Sequence, residues 1–84
     1  MKWTLIYLPQ AQDQLANIWL KAADQAIVTR AADLLERQLR EDPYSSSIAR
    51  HDNSRIMIEP PLAAGYDVSE EDCMVTVWAF WHLK

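Results

Sequence analysis

Apolar positions along the chain change period twice, from strand-like to helical and back. Lys2 to Leu8, with the run WTLIYL, is rich in β-formers and predicts a first strand. Pro9 stops it and suits the first turn of a helix, where its missing N–H costs nothing. From Gln10 the spacing becomes helical: Leu15, Ile18, Trp19 and Ala22 fall at i, i+3, i+4 and i+7. Asp13 is read as a first-turn acid that favours the helix dipole. A second stripe, Ile27, Ala31, Leu34, Leu35 and Leu39, follows after Asp24, a candidate cap. One long helix fits the pattern almost as well. Two are preferred, because a single helix of that length cannot fold back to bury both stripes in so small a domain. Asp33–Arg37 and Glu36–Arg40 are i,i+4 pairs in the favourable order. Asp42-Pro43 ends the helical region.

The rest reads as strand and turn. Tyr44 to Ser47 is a polar connection, and Arg55 to Ile58 a short strand closed by Pro60-Pro61. Leu62, Ala64, Tyr66 and Val68 share one face of a further strand, and Ser69 to Asp72 supply a polar turn. In the last strand, Cys73 to Trp81, strict alternation places Cys73, Val75, Val77, Ala79 and Trp81 on one face. Met74, Thr76, Trp78, Phe80 and His82 take the other. The prediction is an α+β fold in the order β-α-α-β-β-β. A small antiparallel sheet carries a helical hairpin on one face. Trp81 belongs to the core, and Trp78, Phe80 and His82 to the face left partly open, the natural place for a site.

The 84 residues make one domain, 1–84, with a core so small that a partner or second copy could help to stabilise it. Eight Lys/Arg against twelve Asp/Glu give a net charge of −4, which argues against nucleic acid as the direct target. No apolar run approaches the roughly 18 residues of a membrane span. The N-terminus lacks the pattern of a secretory signal, and the chain reads as cytoplasmic. A lone cysteine, Cys73, cannot form an internal disulfide and is most simply a small core residue. With two scattered histidines and one cysteine, neither a metal site nor a cofactor is expected.

Chemistry is concentrated late in the chain. Arg50 and Arg55 flank a polar turn and can grip a phosphate or carboxylate through their planar forks. Their structural alternative is pairing with Asp52, Glu59 or Asp67. His82 is a candidate general acid/base, and His51 a weaker one. Glu59 can supply a base, whereas Glu70, Glu71 and Asp72 read as a solvated turn. Trp78 and Phe80 are candidate partner-binding residues.

Taken in order, several short stretches resemble the RelE/ParE superfamily of type II toxin–antitoxin toxins. They are Tyr7-Leu8-Pro9-Gln10-Ala11 before Leu15 and Ile18-Trp19, then Arg40-Glu41-Asp42-Pro43, then Arg50 and Arg55 before Pro61-Leu62. Tyr66-Asp67-Val68 with its acidic turn and Val75-Thr76-Val77 complete the set. The resemblance spans nearly the whole chain and rests on the order, since no single motif is diagnostic. It implies the predicted fold, a cognate antitoxin as partner, and a role in growth inhibition or plasmid stabilisation. RelE-like members are ribosome-dependent mRNA endonucleases, and ParE-like members act on gyrase. Three residues before the third-strand tyrosine, where nucleases often carry arginine, this chain has Ala63. His82 matches a histidine that ends the last strand in several nucleases, but Leu83 follows it. A protein target is therefore favoured over RNA cleavage, and whether the chain is an enzyme stays open. A non-toxic interaction module with the same fold is the third reading.

Overall fold

The computed structural model describes residues 3–45 and 47–83, with the side chain of His51 outside that description. The elements are β1 (Thr4–Tyr7), α1 (Pro9–Lys21), α2 (Gln25–Glu41), β2 (Ser47–His51), β3 (Ser54–Glu59), β4 (Leu62–Ser69) and β5 (Met74–His82). The strands form one sheet in the order β1-β5-β4-β3-β2. The α+β class and the helical hairpin on one face are as predicted. The sheet adds two features. β2 occupies a segment that includes residues read as polar connection and loop, and pairs antiparallel with β3. β1 enters beside β5 in parallel, because the helical hairpin returns the chain to the far edge of the sheet.

The helix break lies where a cap was expected. Pro9 occupies the start of α1. The chain then turns extended at Ala22, and the Asp24 carboxylate accepts from the backbone N–H groups of Ala26 and Ile27, at 3.1 and 3.3 Å. Asp42 ends α2, and its carboxylate accepts from the N–H groups of Tyr44 and Ser45. Three helix details differ from the sequence reading. Val28 joins Ala31, Leu35 and Leu39 as the buried stripe of α2, while Ile27 and Leu34 are exposed. Asp13 falls just beyond the first turn of α1. Of the two i,i+4 pairs, Glu36–Arg40 closes, at 3.5 Å.

The core lies between the helices and one side of the sheet. Ala11, Val28, Ala31, Leu35 and Leu39 pack on Met57, Leu62, Ala64, Tyr66, Val75, Val77 and Phe80. Leu62, Ala64, Tyr66 and Val68 share that side, as alternation predicted. Tyr66, fully buried, donates its hydroxyl to the carbonyl of Pro43 and ties β4 to the end of α2.

Alternation fails in β5, where a bulge interrupts it. Tyr66 pairs with Val77 and Gly65 with Ala79, so Trp78 is one residue too many. Beyond it every side chain changes face. Phe80 turns into the core against Tyr7, with ring centroids 5.8 Å apart. Trp81 turns out beside Trp78, edge to face at 5.7 Å. The assignments of Phe80 to the open face and of Trp81 to the core are thus reversed, and His82 lies on the helix side. Cys73, half-buried, occupies the turn before β5 with a φ of 52°.

β5 outruns β1 on their shared edge, since the Leu8 N–H to Val77 carbonyl bond is the last contribution from β1. Two glutamines one turn apart on α1 take over. Gln10 donates through Nε2 to the Trp78 carbonyl at 2.9 Å, and Gln14 Oε1 accepts from the Phe80 N–H at 3.0 Å. Side chains of α1 therefore continue the ladder that β1 leaves unfinished.

Candidate functional site

Two surfaces stand out, one on each side of the molecule. On the helix side, α1 and α2 leave between them an apolar groove of about 560 Å³, lined by Leu15, Ala16, Trp19, Leu20, Val28 and Ala32. Trp19 donates its indole N–H to the Thr29 hydroxyl at 3.0 Å, which bridges the two helices along the groove. Leu20 is 67% exposed, although it sits on a helix that packs against the sheet. Its exposure follows from spacing, since it lies outside the Leu15–Ile18–Ala22 stripe.

On the other side, no helix among the described residues covers the sheet. Register places Ile6, Ile48, Ile56, Ile58, Trp78 and Trp81 there. Arg50 stands in the β2 bulge, with its guanidinium carbon 5.6 Å from the centre of the Trp78 ring. The Trp78 indole N–H donates to Asp67 Oδ1 at 3.1 Å, and the same oxygen accepts from the Ser54 hydroxyl at 2.6 Å. Gly65 is what lets the indoles lie down. A Cβ there would come within 2.7 Å of Trp78 and 2.9 Å of Trp81.

The candidate residues do not converge. Arg55 pairs with Ala49 and Tyr66, on the helix side of the sheet, whereas Arg50 lies over Trp78 on the open side. Arg55 Nε donates to Ser47 Oγ at 2.7 Å, and its guanidinium sits 5.3 Å from the centre of the Tyr44 ring. Neither Glu59 nor Asp67 is its partner. Asp52, in the β2–β3 turn, lines the same polar hollow without an ion pair to it. The Tyr44 hydroxyl donates to Glu70 at 3.1 Å, and desolvation with that carboxylate raises the Tyr44 pKa. His82 is exposed and borders a hollow with Asn17, Ile18, Lys21 and Ala22. It pairs with Leu62, four residues along β4 from the Tyr66 partner of Arg55 and two strands across the sheet from Arg55, so the two side chains start about 16 Å apart. Cooperation of an acid–base histidine with a phosphate-gripping arginine needs hydrogen-bond reach to one substrate. The side chain of the other candidate, His51, lies outside the described residues. Glu59 closes the β3–β4 hairpin opposite Leu62. No described helix is long and apolar enough to cross a membrane.

Among solved structures, this architecture matches the RelBE2 toxin–antitoxin complex of Mycobacterium tuberculosis with a TM-score of 0.79, over 98% of this chain and 99% of that one. The chain has the RelE/ParE toxin fold. Identity to that chain is 13%. The isolated RelE toxin of E. coli matches at TM-score 0.71 and 16% identity, covering 98% of this chain and 85% of the other. A chain of the ParDE toxin–antitoxin system of P. aeruginosa matches at 0.67 and 14%, over 98% and 97%. No family model matches the sequence, and no curated protein does. Both branches of the RelE/ParE fold are thus represented at similar distance, and the likeness extends to architecture alone. Sequence reasoning missed the helix groove because Leu20 and Thr29 look like ordinary surface positions. The alternation of Trp19 and Leu20 with small Ala16 was the available signal.

Proposed function

We propose that this chain is the toxin, or a toxin-derived protein, of a type II toxin–antitoxin module. An antitoxin segment holds it along the α1–α2 groove, and its activity is directed at a protein, such as gyrase, and not at RNA. The observation that carries the partner is the groove itself. A trough of Leu15, Trp19, Leu20 and Val28 suits the apolar stripe of a helical segment. The solved RelBE2 and ParDE relatives are toxin–antitoxin assemblies, which supports the same class of partner here. In an acidic chain such a contact relies on apolar burial more than on charge steering.

The protein target is favoured by the dispersal of the basic and acid–base groups. A ribonuclease needs several cations on the scissile phosphate together with a proton-transfer group. Here Arg50, Arg55 and His82 occupy three separate places, and Ala63 is a buried residue of β4. Arg50, exposed on the open face, is the residue we assign to target contact, whereas Arg55 braces β2 and Tyr44.

Tightly induced expression in bacteria, with transcript mapping, tests the reading. Growth arrest with intact transcripts, relieved by Arg50→Ala at matched soluble level, is the expected result. Arrest with cleaved transcripts that His82→Ala abolishes would replace the protein target with an endonuclease. Normal growth with soluble, folded chain would leave a binding module that keeps the fold without toxicity.

A further inference from the structure

We infer that the open face of the sheet is a self-association surface whose occupant is a second copy of this chain. The inference goes beyond the proposed toxin activity, and because the contact covers Arg50 the dimer is a form that must dissociate before Arg50 can reach a target. Three properties of the face carry it.

The first is its apolar extent. Ile6, Ile48, Ile58 and Trp81 are 38–59% exposed on the one side that no helix covers, with Ile56 and Trp78 half-buried among them. Five strands about 4.8 Å apart and four to nine residues long give a footprint of roughly 500 Å². Accessible area exceeds footprint, so the face approaches the ~800 Å² per partner of a standard interface. Thr76, Asp67 and Ser54 run as a polar row between Ile6 and the other apolar residues of the face, and apolar patches of this size are often functional.

The second is charge. The chain carries −4, yet by register this face holds one cation and one anion among the described residues, Arg50 and Asp67. The rest of the surface carries the net negative charge, whereas here the sum is zero. The pair also makes the face self-complementary. In a two-fold contact, Arg50 of each copy can approach Asp67 of the other. RNA, by contrast, would find a single arginine.

The third is shape. Trp78 and Trp81 lie over Gly65 and do not stand up from the sheet, so the surface is low enough for face-to-face packing. Pairing this way leaves the α1–α2 groove outward and free.

Sedimentation velocity of the full chain over a broad concentration series reads the association directly. The expected result is a monomer–dimer equilibrium that Ile48→Lys/Ile58→Lys weakens by at least about tenfold, a loss of ~1.4 kcal/mol. Both side chains are exposed, and thermal unfolding checks that the fold persists. Arg50→Glu, which places like charges across the two-fold contact, is expected to weaken it as well and decides alone if the double variant unfolds. Leu20→Lys, on the opposite side, should change nothing. A chain that stays monomeric throughout, or a dimer that the open-face variants leave intact or that Leu20→Lys breaks, would overturn the inference.

Discussion

Gly65 is the one glycine of the chain, and its φ is not positive, so its value is space and not conformational freedom. The missing Cβ holds the far ends of two indoles at contact distance. Gly65→Val must lift both, which disturbs the Arg50 stack and the Trp78–Asp67 bond. A cost of about 1–3 kcal/mol is expected from forced repacking, read as a lower urea midpoint with a shifted tryptophan emission. Tyr7 gives a pH-dependent counterpart. Its hydroxyl donates to Glu36 at 3.3 Å, and burial first, then that carboxylate, push its pKa from 10.0 to about 12. A folded-state pKa above the unfolded one means stability that is full below the unfolded value and is lost as pH rises toward the folded one. Wild type should therefore lose about 1–2 kcal/mol, reduced by the solvent that still screens this half-buried side chain, between about pH 10 and 12 that Tyr7→Phe does not lose, measured by urea unfolding at the two ends.

Among the elements, β5 depends on a helix for hydrogen bonds that strands normally supply. Gln14 caps the Phe80 N–H at the point where Phe80 enters the core, so Gln14→Ala leaves a part-buried donor unpaired. Its cost should be about 1–2 kcal/mol, whereas Gln10→Ala, at a more exposed bond, should cost less; chemical denaturation of the two variants compares them. The same region marks the limit of what periodicity can reveal. Helices α1 and α2 were legible because Pro9, Asp24 and Asp42-Pro43 act locally and the stripes between them repeat. β4 was legible because Leu62, Ala64, Tyr66 and Val68 keep strict alternation into one core. β5 was legible as a strand, but its faces were not. The extra residue at Trp78 is accommodated opposite Gly65, 13 positions earlier in the chain, and no local pattern around Trp78 reports that partner. β2 escaped for a related reason. With exposed Ile48 at the sheet edge and Arg50 in a bulge, it lacks the alternation that a half-buried strand displays. The candidate arginines were read as one site because they lie five positions apart, while the hairpin and its bulge send them to opposite faces.

At the scale of the whole molecule, one sheet divides two apolar surfaces that none of the described residues covers. Leu20 and Trp19 border the groove outside the helices, and Ile48, Ile58 and Trp81 lie beyond the sheet. The layer between them is the core of Leu35, Leu39, Leu62, Tyr66, Val77 and Phe80, so the two surfaces lie on opposite sides of it. Substitutions more than about 7–10 Å apart with no shared partner add within about 0.5 kcal/mol. Leu20→Lys and Ile58→Lys should therefore combine additively in unfolding free energy, measured at a concentration low enough to keep the chain monomeric. Each should also leave the other surface's binding unchanged. Coupling above about 1 kcal/mol between them would mean that the sheet transmits strain from one face to the other. An antitoxin in the groove would then alter the open face, and the two surfaces would have to be treated as one site. Additivity would instead mean that an antitoxin can occupy the helices while the sheet keeps whatever partner it has.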